Sequence, residues 1–169
     1  MPSPVRTLPF DPIAEARRHW EDRWPAGAAM AAATSIMRAQ QIVLARVDDA
    51  LKPHDLTFAR YEALVLLTFS RRGALPLGKM GERLMIHPTS VTNIVDRLED
   101  QGLVRRVAHP TDRRTTLCEI TGAGRRVVAA ATEAVTAVDL GVGGLSARDV
   151  DQLTRLLGKL RHSSGDFSA

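Results

Sequence analysis

Leu103-Val104-Arg105-Arg106-Val107-Ala108-His109-Pro110-Thr111-Asp112-Arg113-Arg114-Thr115-Thr116-Leu117-Cys118-Glu119-Ile120-Thr121 is the stretch that organises the rest of the chain. Leu103 to Val107 and Thr116 to Ile120 read as two short strands, and His109 to Arg114 reads as the tip of the hairpin that joins them. Between Leu103 and Arg126 six arginines face only Asp112 and Glu119, so this segment carries +4, as much as the whole 169-residue chain. Arg113 and Arg114 are adjacent, so their side chains point different ways. One can project outward, where the negative potential of a narrow minor groove would attract it. The other can turn back to Asp112, which would orient it through a charge-assisted bond. A basic turn that serves only solubility has the same composition.

Upstream, Pro88 suits the first position of a helix that runs to about Gln101, with Gly102 as its C-terminal cap. On a wheel of about 100° per residue, Val91, Ile94, Val95 and Leu98 share a narrow core face. Thr89, Asn93, Asp96 and Arg97 lie opposite, flanked by Ser90 and Thr92. Asn can pair with adenine and Arg with guanine in bidentate fashion. Thr and Ser reach phosphates or base edges. The positive helix N-terminus suits phosphate, while Glu99 and Asp100 load the other end with negative charge, so the helix should enter a groove N-terminus first. An ordinary solvated face would look similar. The helix that precedes it and the arginine-rich hairpin that follows make DNA the better reading.

The remaining elements are predicted as helices. Residues 1–12, with four prolines, read as a flexible arm, and Ile13, Ala16 and Trp20 begin a short helix ending near Pro25. A long helix follows from about Ala26 to Leu51, in which Met30, Met37, Leu44 and Leu51 recur every seven residues and call for a partner helix. Thr57 is a plausible N-cap for a buried helix over Phe58 to Ser70. Gly73 and Pro76 predict a turn. A short helix over Leu77 to Leu84 turns Met80 and Leu84 inward, with Gly81 where two helices cross closely. Thr121 caps a helix to about Asp139, and Gly141, Gly143 and Gly144 interrupt the chain. Ser146 and Asp149 resemble a capping box. The final helix carries Val150, Leu153, Leu157 and Leu160 as its apolar stripe.

A hydrophobic content of 44% supplies a core, and 4% aromatics favours close-packed helices over an aromatic-rich sandwich. The single cysteine, Cys118, excludes an intrachain disulfide and a Cys/His metal cluster, and reads as a core-facing strand residue rather than a redox sensor. No long apolar run marks a signal peptide or membrane span, so a cytoplasmic protein is expected. Five scattered histidines, with no phosphate loop and no nucleophile elbow, give no catalytic site and no cofactor.

This arrangement resembles the MarR (multiple antibiotic resistance regulator) family. The carrying residues are His109 to Arg114, then Leu117 to Thr121 and Gly124, which match a D-P-x-D-R-R wing followed by L-T-x-x-G. His109 stands where Asp is usual, and Cys118 where a valine-like residue is usual. Thr89 to Glu99 is similar to the family's recognition helix, and Gly102 to Arg106 to its helix-to-wing junction. The resemblance implies a mainly α fold with a small β-wing: a winged helix-turn-helix DNA-binding lobe over 57–120 and a helical dimerisation lobe from helices within 13–51 and 122–162, all in one unit over 13–169. It implies a homodimer, with Met30, Met37, Leu44, Leu157 and Leu160 at the interface, on a pseudo-palindromic operator of double-stranded DNA. DNA contacts fall to Thr89, Ser90, Thr92, Asn93, Arg97, His109, Arg113 and Arg114, with Asp112 orienting the wing. It also implies repression relieved by a small aromatic or anionic ligand, with Trp20, His54, Arg60 and Tyr61 as candidate lining. Two other readings keep the fold: a winged-helix protein-interaction module and a non-specific architectural DNA-binding protein.

Overall fold

The structure, a computed structural model, describes residues 7–112 and 114–168. It divides into two compact units, one up to Leu44 and one from Ala45. In the first, α1 (Pro12–Glu21) starts on Asp11, whose carboxylate accepts the Ile13 N–H at 2.9 Å. Trp20 donates its indole N–H to the Pro25 carbonyl at 2.8 Å and meets the Trp24 ring edge-on, which closes the loop after the helix. α2 (Gly27–Leu51) begins in this unit, and its last two turns belong to the second.

In the second unit the end of α2 passes through a 3₁₀ turn at Lys52–His54 into α3 (Phe58–Phe69). Thr57 is the N-cap residue of α3, but its hydroxyl makes no capping bond. Asp48 of α2 does that work instead, accepting the Phe58 N–H at 2.7 Å. The long-range cap wins because a carboxylate already held on a neighbouring helix satisfies an orphan N–H without ordering a further side chain. Tyr61, Ala63, Leu64 and Leu67 are the buried face of α3. They meet Met80 of α4 (Leu77–Leu84), Val91, Val95 and Leu98 of α5 (Pro88–Asp100), and Val128, Ala131 and Val135 of α6 (Gly122–Ala137) in one core. Gly81 lets α4 and α5 close up: a Cβ there would lie 3.2 Å from the Ile86 carbonyl and 3.3 Å from Val91. The α4–α5 turn is completed by Met85 in the left-handed region (φ 54°).

The expected turn closes at Gly73, whose N–H donates to the Ser70 carbonyl at 3.1 Å, and the residues after it form a strand. β1 (Ala74–Pro76) pairs antiparallel with β3 (Thr116–Ile120), which pairs in turn with β2 (Val104–Ala108), so the sheet has three strands in the order β1-β3-β2 rather than two. Three residues ending in proline show no period-2 signal, yet β3 has a free edge that they fill. Cys118, central in β3, is fully buried.

The sheet joins α6 through Thr121, whose hydroxyl donates to the Gly102 carbonyl at 2.8 Å and accepts the Gly124 N–H at 3.0 Å. A Cβ on Gly124 would sit 2.1 Å from the Leu103 carbonyl oxygen, so the L-T-x-x-G pattern has a steric origin. After a 3₁₀ turn at Asp139–Gly141, α7 (Ala147–Ser163) opens with the expected capping box of Ser146 and Asp149. It buries no residue in this chain, and Leu153, Leu156 and Leu160 are exposed.

Candidate nucleic-acid interface

α5 starts with His87, whose Nδ1 accepts the Thr89 N–H at 3.3 Å, followed by Pro88. Burial of Val91, Val95 and Leu98 fixes its rotation, and Thr89, Ser90, Thr92, Asn93, Asp96 and Arg97 are all exposed. The Thr92 hydroxyl donates to the Pro88 carbonyl at 3.2 Å, which leaves its oxygen lone pairs and methyl group for an outside partner. The first two turns therefore present a continuous polar face of short side chains.

The wing tip closes on itself. His109 donates its N–H to the Thr115 carbonyl at 3.2 Å, and its Nδ1 accepts the Thr111 and Asp112 N–H groups at 3.3 and 3.1 Å. The residue that replaces the usual Asp thus still acts as an acceptor for the turn, so His109 shapes the tip. Asp112 orients the tip from within. Among the described residues its carboxylate accepts the Arg114 backbone N–H at 3.0 Å and the Thr115 hydroxyl at 2.6 Å, and so orients the backbone rather than the Arg114 guanidinium. The Thr115 hydroxyl and the Arg114 N–H hold its carboxyl below the usual range. Arg114 is exposed and lines a cleft of about 580 Å³ between α4 and the wing, with Lys79, His109 and Thr115 on its walls. Arg113 lies outside the described residues.

Behind this face the wing is tied to α5. Arg106 on β2 donates through Nη2 to Asp96 Oδ1 at 2.5 Å and through Nη1 to Glu99 Oε2, and its backbone N–H meets Glu99 Oε1 at 2.7 Å. The Arg106 N–H and guanidinium draw the Glu99 carboxyl below its ordinary value. Arg105, on the other face of β2, pairs with Glu119 across the strands at 2.7 Å. Sequence reasoning did not assign Arg106, and took Glu99 as bare negative charge. The signal was present: Val104 is buried, so Arg106 two residues on shares its face, and an arginine on an inward face requires a carboxylate.

The candidate ligand residues divide between the two units. Trp20 belongs to the first unit and is engaged with Pro25 and Trp24. Tyr61 is buried, its hydroxyl 3.1 Å from that of Thr132 on α6. His54 ends the 3₁₀ turn, half-buried. Arg60 lines an open cavity of about 460 Å³ with Asp55, Arg97, Asp100 and Gln101. Met30 is half-buried beside α1, Met37 and Leu44 are exposed on α2, Leu157 is half-buried and Leu160 exposed on α7. No cluster of metal-ligating side chains occurs among the described residues. No helix among them is long and apolar enough to cross a membrane.

A profile of the MarR family matches residues 59–116, the span from α3 to the start of β3. Over 84% of this chain and 99% of the other, the fold superposes on Sco5413, a MarR family transcriptional regulator from Streptomyces coelicolor, with a TM-score of 0.78 and 55% identity. The chain belongs to the MarR family. MarR proteins are DNA-binding winged-helix transcriptional regulators rather than enzymes. The HTH-type transcriptional regulator MhqR of Bacillus subtilis (strain 168) is 27% identical over 133 residues, covering 78% of this MarR chain and 90% of its own. CouR from Rhodococcus jostii RHA1, solved bound to p-coumaroyl-CoA, is 27% identical with a TM-score of 0.67 over 79% of this chain and 92% of its own.

Proposed function

We propose that this MarR-family regulator is a cytoplasmic repressor that binds a pseudo-palindromic operator as a homodimer and leaves it when a small aromatic or anionic effector binds. The observation that carries the reading is the outward face of α5, where Thr89, Ser90, Thr92, Asn93 and Arg97 are all exposed beside the arginine-bearing wing. Asn93 and Arg97 read base edges in the major groove, Thr89, Ser90 and Thr92 hold phosphates or base edges, and Arg113, Arg114 and His109 meet the flanking minor groove. Residues 57–120 form the reading lobe, and helices within 13–51 and 122–162 form the dimer. Met37, Leu44 and Leu160 are apolar, exposed and on helices that lack a full partner face, which supports that assignment. The effector class is supported by the ligand of CouR, an aromatic acyl thioester of the anionic coenzyme A, and by Arg60, which shares its cavity with Arg97 and so would couple ligand to the reading face.

The test is fluorescence anisotropy with labelled DNA from upstream of the protein's own gene, at near-physiological salt, with excess random duplex as competitor. Binding that survives the competitor is expected, and addition of aromatic acids should then release it. Binding erased by competitor would favour an architectural protein. No binding at low salt would favour a protein-interaction module.

A further inference from the structure

We infer that Arg106 is a positioning residue for DNA recognition, masking the charge of Asp96 on the groove-facing side of α5 while fixing that helix to the base of the wing. The inference rests on the DNA-binding reading above and adds a residue to it. Arg106 pairs with Cys118 in the β2–β3 register, and Cys118 is fully buried, so the arginine stem leaves the sheet on its inner side, beneath α5. Its guanidinium then reaches up to two carboxylates one helical turn apart, Asp96 and Glu99. Asp96 is half-exposed and lies between Asn93 and Arg97, the residues expected to touch bases. A bare carboxylate there would face a duplex that carries one negative charge per ~1.7 Å of axis. With Arg106 in place the three groups sum to −1, and without it the last two turns of α5 would carry −2 among them. A planar guanidinium presents its donors in a fixed fork, whereas an ammonium is a compact charge on a flexible stem with rotatable donors.

The experiment measures the affinity of wild type, Arg106→Gln, Asp96→Asn and the double variant for the same operator duplex by competition anisotropy. Thermal unfolding is followed in parallel. Arg106→Gln should bind about tenfold more weakly, in keeping with the cost of a misplaced charge at an interface. Asp96→Asn alone should bind as wild type or tighter. The double variant should recover to within about threefold of Asp96→Asn, because the charge that Arg106 masks is then gone. A tie with only a structural role predicts the opposite, since helix and wing stay unlinked in the double variant; no recovery would overturn the inference. Should Arg106→Gln lose its cooperative unfolding transition, Arg106→Lys and Arg106→Lys/Asp96→Asn answer the same question, with a smaller loss that the second change restores. Wild type failing to hold the operator against competitor would remove the sequence-specific reading itself, whereas wild type binding with Arg106→Gln equally tight would remove only the role of Arg106.

Discussion

Asn93 and Arg114 are expected to act differently because they meet different parts of a duplex. Asn93→Ala should weaken preference for operator over random DNA while leaving non-specific affinity nearly intact, a discrimination loss of about 1–3 kcal/mol. Arg114→Ala should weaken binding to every sequence and lower the slope of log affinity against log salt by about one. Anisotropy titrations on both duplexes at several salt concentrations separate the two; an unchanged slope for Arg114→Ala would take the wing off the DNA. Cys118 gives a second residue-scale outcome. Burial pushes its thiol up to about 12, so the thiolate that reacts is scarce at neutral pH. Ellman's reagent at pH 8 should therefore leave the folded protein almost unlabelled and react fully in urea. Rapid labelling without denaturant would restore a redox role for this residue.

Among the elements, the start of α3 separates two candidate caps. Asp48→Ala should cost about 1 kcal/mol of stability in a urea titration, and Thr57→Ala well under half of that, because only Asp48 accepts a helix N–H. Equal losses would return the cap to Thr57. This element also shows what is readable in a sequence. A Thr before a helix is a local signal, whereas Asp48 lies ten residues upstream and reaches Phe58 only after the chain has turned. α5 was legible because both its faces repeat with the helical period. The wing strands were legible as two short runs bounded by turn residues, with the basic tip between them. β1 was not, because its three residues acquire strand geometry only from β3. The tie from Arg106 to Asp96 and Glu99 hid for a related reason: three surface-type charges become one group only when helix and strand are set side by side.

For the whole molecule, the pH dependence of stability has one term that a single substitution isolates. Burial raises the Glu62 carboxyl above its ordinary 4.5, so the folded state holds that proton more tightly than the unfolded one. Its ionisation therefore removes stability as pH climbs through and above 4.5. Glu62→Gln should be more stable than wild type at pH 7, and the advantage should vanish in acid; an advantage independent of pH would point to packing instead. Assembly is tested on the same scale. Leu160→Glu and Leu44→Glu place charge on exposed apolar helix faces, so if the proposed dimer forms through them sedimentation should find these variants monomeric, and a fully dimeric Leu160→Glu would move the interface away from α7. Gly124 sets how closely α6 meets the base of the wing. The Leu103 carbonyl comes so near its Cα that not even a methyl group fits, and the Thr121 hydroxyl bridges the same two segments. Wing base and α6 are in effect a single rigid lever. The five residues of β2 give an arm of about 16 Å at ~3.3 Å per residue, so turning α6 by only ~5° would sweep the wing tip through about 1.4 Å. That is half the length of a hydrogen bond, enough to take an arginine out of a groove without bending the hairpin.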